Sequence, residues 1–255
     1  MPHGLRQPSC SSLYLLEREM SVRGLIGEGI RKLIGDGSYM RLRYGYRAEH
    51  SYLRKIRGVI HIGANAGQER NLYDAFGLHV IWIEPIPDVF EALKINISGF
   101  PKQRAYNYLV TGEDGQTYKL HIADNSGASS SILDFSKHTE MYPEIAYKDV
   151  ITITGARLGS ILAAERTNIR QFAALVLDTQ GSELEILKGA AGILPHFRFI
   201  KVEVPDFEAY KSCCQIGDLS AFMSSNDFGE RSRHLIKHAP GVGSYFDIIY
   251  ERIRR

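Results

Sequence analysis

Cysteine, tryptophan and proline are all scarce in this chain: three, one and nine among 255 residues. Cys10 stands alone and Cys213 and Cys214 are adjacent, a spacing at which a disulfide is strained, so a reducing, cytoplasmic setting is expected. No apolar run approaches the roughly 20 residues that span a bilayer, and no signal-peptide core opens the chain. Neither sign of charge is in excess: 31 Lys and Arg face 29 Asp and Glu, a net charge of +2 that offers nucleic acid no footprint. Several chemical signatures are missing as well. No His/Cys/Asp spacing suits a metal, G-x-S-x-G is absent, and no lysine follows the glycine turns as a P-loop requires. Metal hydrolysis, serine hydrolysis and P-loop chemistry drop out.

What remains is an ordinary globular composition, 44% hydrophobic and 24% charged, in a chain of one-domain size. The reading divides it into an N-terminal extension, 1–57, and a main domain, 58–255, with an insertion at about 112–150. Before Leu13 no helical period holds, and Met20 offers an alternative initiator. Leu25, Ile26, Ile30, Leu33 and Ile34 have helical spacing and predict a short amphipathic helix, although three glycines weaken it. From Ser21 to Arg57 nine Lys and Arg meet three acids. That surplus is either a solvated face or a place for peripheral contact with an anionic membrane.

From Val59 onward, short apolar runs alternate with segments of helical period. "VIHIG" precedes "QERNLYDAF", and "HVIWIE" precedes "PDVFEALKINI". Alternation of this kind calls for a parallel sheet with right-handed crossovers and helices on both faces. "RAYNYLV" reads as a third strand, "QTYKLHIAD" as an added one, "NSGASSSILDF" as a serine-rich loop, and "VITIT" as a strand after an irregular stretch. An insertion like this one often builds a substrate wall. The strand "FAALVLD", the helix "SELEILKGAAGIL" and the strand "FIKVEV" restore the rhythm. A helix "DLSAFMSSNDF" and two strands joined by "APGVG" then close an antiparallel end. The expected fold class is therefore α/β, a doubly wound sheet of about seven strands with an antiparallel end strand.

Ligands of such sheets bind beyond the carboxyl ends of the strands, where the strand order reverses. In "GANAG", Gly63 and Gly67 flank small residues just after a strand, a cradle in which backbone can press on a ligand. The dinucleotide fingerprint needs a glycine where Asn65 stands, which counts against NAD. Glu84 lies 21 residues beyond Gly63, the spacing of a carboxylate that accepts from ribose hydroxyls, and Pro85 turns the chain after it. A ribose partner without a pyrophosphate site points to S-adenosylmethionine. Asp178 ends a central strand beside Thr179 and Gln180; it is either a general base at the strand mouth or a helix cap. Glu203, near the end of "FIKVEV", is either a second candidate base or an outward-facing acid. His61 lies inside an apolar strand, and two readings stand open: a hydrogen bond that orders the cofactor loop, or a satisfied core histidine. His138, His234 and His238 are isolated, a setting in which histidine is usually neither base nor ligand.

Three blocks together resemble the FkbM family of S-adenosylmethionine-dependent methyltransferases: "VIHIGANAGQE" with "VIWIEPIPDVFEAL", then "SGASSSIL", then "LVLDTQGSELEILKGA" followed by "FIKVEV". The resemblance covers roughly Val59 to Arg252, with the blocks in this order. The resemblance implies a Rossmann-like fold of the class I methyltransferase type and O-methylation of a hydroxyl on a sugar, a polysaccharide or a secondary metabolite. It implies that Gly63, Ala64, Asn65, Gly67 and Gln68 hold the methionine end of the cofactor and Glu84 with Pro85 the ribose. Ser130 and Ser131 would line the same pocket, and Asp178 and Glu203 fall on acidic positions of the later strands. Many members carry Asp where this chain has His61, so the ammonium-binding role passes to Glu69 or Asp178. Two rival readings are an NAD-type oxidoreductase and a non-catalytic interaction protein that keeps the cofactor fold. The expected partner is a small-molecule or saccharide acceptor, without nucleic acid.

Overall fold

The structure is a computed structural model that describes residues 48–253 together with Tyr39. Cys10, Met20 and the amphipathic helix expected around Leu25 to Ile34 lie outside the described residues, as does most of the basic run. A 3-10 helix, Ala48–Lys55, leads into strand β1, Gly58–Ile62. Helix α1 (Arg70–Ala75), β2 (His79–Ile83), α2 (Pro87–Ile97) and β3 (Gln103–Tyr106) follow. Then come β4 (Leu109–Val110), β5 (Thr117–Ala123), the short α3 (His138–Met141), β6 (Tyr147–Ala156) and α4 (Leu158–Ala164). The last part is β7 (Ala174–Leu177), α5 (Glu183–Gly189), β8 (Phe199–Pro205), α6 (Ile216–Ser225), β9 (Phe228–Ala239) and β10 (Gly243–Arg252).

Seven strands form one sheet in the order β3-β2-β1-β7-β8-β10-β9. The first five are parallel; β10 runs antiparallel to both β8 and β9. All five residues of β1 and all four of β7 are buried, which is why these strands read as unbroken apolar runs. Side chains alternate across the sheet. Ile60, Ile62, Leu175, Leu177, Ile200 and Val202 face α4, α5 and α6, whereas Val59, Val80, Trp82, Val176 and Phe199 face α1, α2 and the 3-10 helix. Tyr52 and Leu53 of that 3-10 helix are buried against the second face.

The third strand expected from "RAYNYLV" is two strands. The Asn107 side chain donates to the carbonyls of Glu84 (2.8 Å) and Pro85 (3.1 Å), which bends the chain away from β3. Leu109 and Val110 then join a separate small sheet of order β4-β6-β5, to which "QTYKLHIAD" and "VITIT" also belong. Helices α3 and α4 have no counterpart in the sequence reading, being only 4 and 7 residues long. Among the described residues no helix is long and apolar enough to cross a membrane.

Candidate active site

Strand order reverses between β1 and β7, because the chain goes from β1 outward to β3 and later returns on the other side of β1. The carboxyl ends of β1, β2 and β7 splay there around a cleft of about 840 Å³, open mouth included. At the end of β1, Gly63 turns with φ 76°. A Cβ on it would lie 1.8 Å from the carbonyl oxygen of Asp178, so the two strand ends touch only because this residue has no side chain. Asn65 takes φ 44°, a left-handed conformation that asparagine tolerates better than most residues. Its N–H donates to Glu84 Oε2 at 2.8 Å and its Nδ2 to the carbonyl of Ser126 at 3.1 Å, which ties the glycine loop to the Glu84 carboxylate and to the serine-rich loop. Oδ1 of Asn65 accepts from Gln68 Nε2 at 2.9 Å.

Glu84 is 4% exposed and accepts a second backbone N–H, that of Ile86, at 3.0 Å. Burial raises its pKa from 4.5 to about 7 against the lowering effect of those two donors. At the end of β7 the carboxyl of Asp178 is raised too, first by burial, with Asp247 and Glu183 adding repulsion. Gln180 organises this corner. Held at φ 58°, it donates from Nε2 to Asp178 Oδ1 at 2.7 Å and accepts the Tyr210 hydroxyl at 2.7 Å, while its carbonyl accepts the Ser131 hydroxyl at 2.7 Å. Glu183 rather than Asp178 satisfies the loop donors before α5, accepting from the N–H groups of Thr179 (2.9 Å) and Gly181 (3.0 Å).

His61 is 5% exposed at the floor of the cleft. Its Nδ1 lies 3.2 Å from the Tyr73 hydroxyl, and its ring stacks on Trp82 with centroids 5.0 Å apart. Burial, then the charge of Lys201, lowers its pKa to about 3, so the imidazole is neutral.

All the residues predicted for the site line the cleft except Gly67 and Glu203. Gly67 faces away from it, where a Cβ would meet Leu93 Cδ1 at 2.7 Å, so this glycine lets α2 pack against the loop. Glu203 stands on β8 opposite Asp247 of β10 and is 8% exposed. Sequence reasoning missed the apolar wall formed by Ile86, Leu109, Val110, Leu120 and Ile132. Nothing in "NYLV" signals that two of its residues leave the main sheet to build that wall. The sequence places Gln180 beside Asp178 and assigns it no role of its own, although the glycine after it hints at a turn. Among the described residues no group of three or more His, Cys, Asp and Glu side chains is arranged to hold a metal ion.

The cleft lining contains Glu69, Glu84 and Asp178 and neither lysine nor arginine. That set of acceptors suits a ligand with positive charge and hydroxyl donors, and it disfavours a pyrophosphate. The sheet order, with its antiparallel β10, is that of class I methyltransferases. The model of the methyltransferase FkbM domain matches residues 61–231. This chain belongs to the FkbM methyltransferase family. Its expected donor, S-adenosylmethionine, fits the cleft: Glu69 and Asp178 suit the cationic end, and Glu84 the ribose. The FkbM match starts at His61 and takes in the glycine loop, the small sheet, β7 and β8.

No curated protein sequence matches the chain. Solved structures similar to it include an uncharacterized protein from Listeria monocytogenes serotype 4b, with 11% identity, TM-score 0.48, 81% of this chain covered and 66% of that one. Another is 1,6-didemethyltoxoflavin-N1-methyltransferase of Burkholderia thailandensis with bound S-adenosylhomocysteine, with 11% identity, TM-score 0.46, and 98% and 94% of the two chains covered. A third, the TrmK protein of M. capricolum with S-adenosylhomocysteine, has 9% identity, TM-score 0.42, and 81% and 68% covered.

Proposed function

We propose that this FkbM domain transfers a methyl group from S-adenosylmethionine to a hydroxyl of a saccharide or a secondary metabolite. The acidity of the cleft carries the reading: Glu69 and Asp178 for a sulfonium and an ammonium, Glu84 for ribose hydroxyls, and no lysine or arginine among the lining residues to hold the diphosphate of NAD. The backbone from Gly63 to Gln68, with Glu69, holds the methionine end. Glu84 receives the ribose hydroxyls beside Pro85, and Ile86, Leu109 and Leu120 form an apolar slot for the adenine ring. Ser130 and Ser131 close the opposite wall, the Ser131 hydroxyl being committed to the Gln180 carbonyl. When bound, the cofactor supplies an electrophilic methyl group on sulfur.

Asp178 is the base of this reading. Its raised pKa brings it close to the working pH, where a carboxylate both exists ionised and accepts a proton readily. Gln180 donates to Oδ1 and thereby orients the group, leaving Oδ2 for the acceptor hydroxyl. That oxygen takes the proton as the acceptor oxygen forms its bond to carbon. His61 is neutral and packed between Tyr73 and Trp82, and it orders the loop from beneath without taking a proton. We place the reaction in the cytoplasm, where the free, buried Cys213 and Cys214 stay reduced.

Calorimetric titration with S-adenosylmethionine, S-adenosylhomocysteine and NAD tests the cofactor, and tritiated methyl transfer to a panel of sugars and hydroxylated metabolites tests the acceptor. Asp178→Asn is expected to abolish transfer while S-adenosylmethionine still binds, with an affinity reduced by the loss of one acid near its cationic end. Tight binding of NAD, or full turnover by Asp178→Asn, refutes the reading.

A further inference from the structure

Lys201 has no part in the chemistry described so far. It sits on β8 in register with Val176, which is itself in register with His61, so the three share one face of the sheet. Two residues on, Glu203 shares that face and pairs with Asp247 across the antiparallel ladder. Asp178 follows Leu177, the partner of Val202, and so continues the register of β7 toward Glu203. Asp178, Glu203 and Asp247 therefore stand in a row on three neighbouring strands, one strand spacing of about 4.8 Å from each to the next. Like charges so placed repel strongly once water is removed. Among the described residues one lysine meets the row: Nζ of Lys201 lies 2.8 Å from Oδ2 of Asp247. Glu203, 8% exposed, has no hydrogen bond to its carboxylate from the described residues.

We propose that Lys201 is a positioning residue of the methyl transfer: anchored on Asp247, it fixes one positive charge beside Asp178 and Glu203 and so sets the pH above which that pair accepts the acceptor's proton. The proposal rests on the reading of Asp178 as base. Burial raises the carboxyl groups of both Asp178 and Glu203, Asp247 raises them further, and Lys201 opposes the rise. The other ionisable groups around the row do not replace it. Tyr52 and Glu69 act on Lys201 from the 3-10 helix and the loop before α1, and Glu183 acts on the pair as a further acid. His61 is neutral, and His234 stands opposite Asp247 on β9.

The test is a pH titration of the side-chain carboxyl carbons by NMR on the folded, full-length protein labelled at Asp and Glu. Lys201→Met is expected to move the titration of the pair up by about one pH unit, and Lys201→Arg to restore it. Asp247→Asn is expected to move it down, because it removes a like charge and leaves the charge of the lysine without its counter-ion. Opposite signs from two substitutions at one ion pair are not what a loss of packing produces. If Lys201→Met fails to fold, Lys201→Gln, which also removes the charge, is expected to move the titration up in the same way.

A titration unmoved in every folded variant, or moved the same way by Lys201→Met and Asp247→Asn, overturns the role of Lys201 and leaves Asp178 as base untouched. The pH–rate profile of methyl transfer is expected to follow the titration. A titration that moves while the rate profile stays in place overturns Asp178 as base, and this proposal with it.

Discussion

Acidifying the protein from about pH 8 to about pH 5 carries Glu84 through its whole titration, and the free and the cofactor-bound forms respond with opposite signs. In the free protein burial raises this carboxyl from 4.5 to about 7, so the neutral form is the one that folding favours. Its contribution to stability is complete below 4.5 and is lost as pH rises through about 7, a change of roughly 3 kcal/mol. Binding runs the other way. Ribose hydroxyls donate to an ionised carboxylate, so affinity for S-adenosylmethionine falls by up to about tenfold per pH unit below the pKa. Glu84→Gln separates this from other effects. The carboxylate accepts N–H groups on both oxygens, from Asn65 on one and Ile86 on the other, so an amide sets its NH₂ against one of two donors. That mismatch costs about 1–3 kcal/mol. The assay is calorimetric affinity for S-adenosylmethionine at several pH values in both proteins. The wild type is expected to show a steep loss below about pH 7, and Glu84→Gln weaker binding with a shallower slope. A wild-type affinity that is flat across this range, or an equal slope in the variant, refutes the argument.

Gly63→Ala forces a Cβ to within 1.8 Å of the Asp178 carbonyl and places alanine at φ 76°. We expect a loss of about 2–4 kcal/mol and a melting temperature lower by roughly 6–12 °C; a fall of under about 2 °C contradicts the close approach. His61→Asp deletes the stack on Trp82, the one tryptophan of the chain, so its emission changes directly with this substitution. Lost stacking and the lost Tyr73 contact predict about 1–3 kcal/mol of destabilisation by denaturant titration, and an unshifted emission maximum contradicts the packing. Gln180→Ala removes the donor to Asp178 and the acceptor of Tyr210. Turnover is expected to drop about tenfold or more with cofactor affinity nearly intact, and an unchanged kcat excludes an orienting role for Gln180.

The order of elements was legible because the central parallel strands β1 and β7 are buried on both faces and the flanking helices on one, so period and apolarity report burial directly. The glycine loop, Glu84 and Asp178 were legible because a ligand at a topological switch point must meet the residues that close the strands. The split of "RAYNYLV" was not, since the cause is the Asn107 side chain reaching two carbonyls more than twenty residues away in sequence. Helix α4 was equally hidden, being too short to show a period.

By itself, the sequence determined the sheet, its antiparallel end, and which residue types close β1, β2 and β7. It did so because these are local properties of apolar period and turn chemistry. Only the tertiary structure decided the use of those residues. It moved Gly67 from the ligand to the packing of α2, gave the N–H groups of the loop before α5 to Glu183, and set Asp178, Glu203 and Asp247 in one row with Lys201. Those roles depend on strand register and on charge in low dielectric, which bring together residues far apart in the chain.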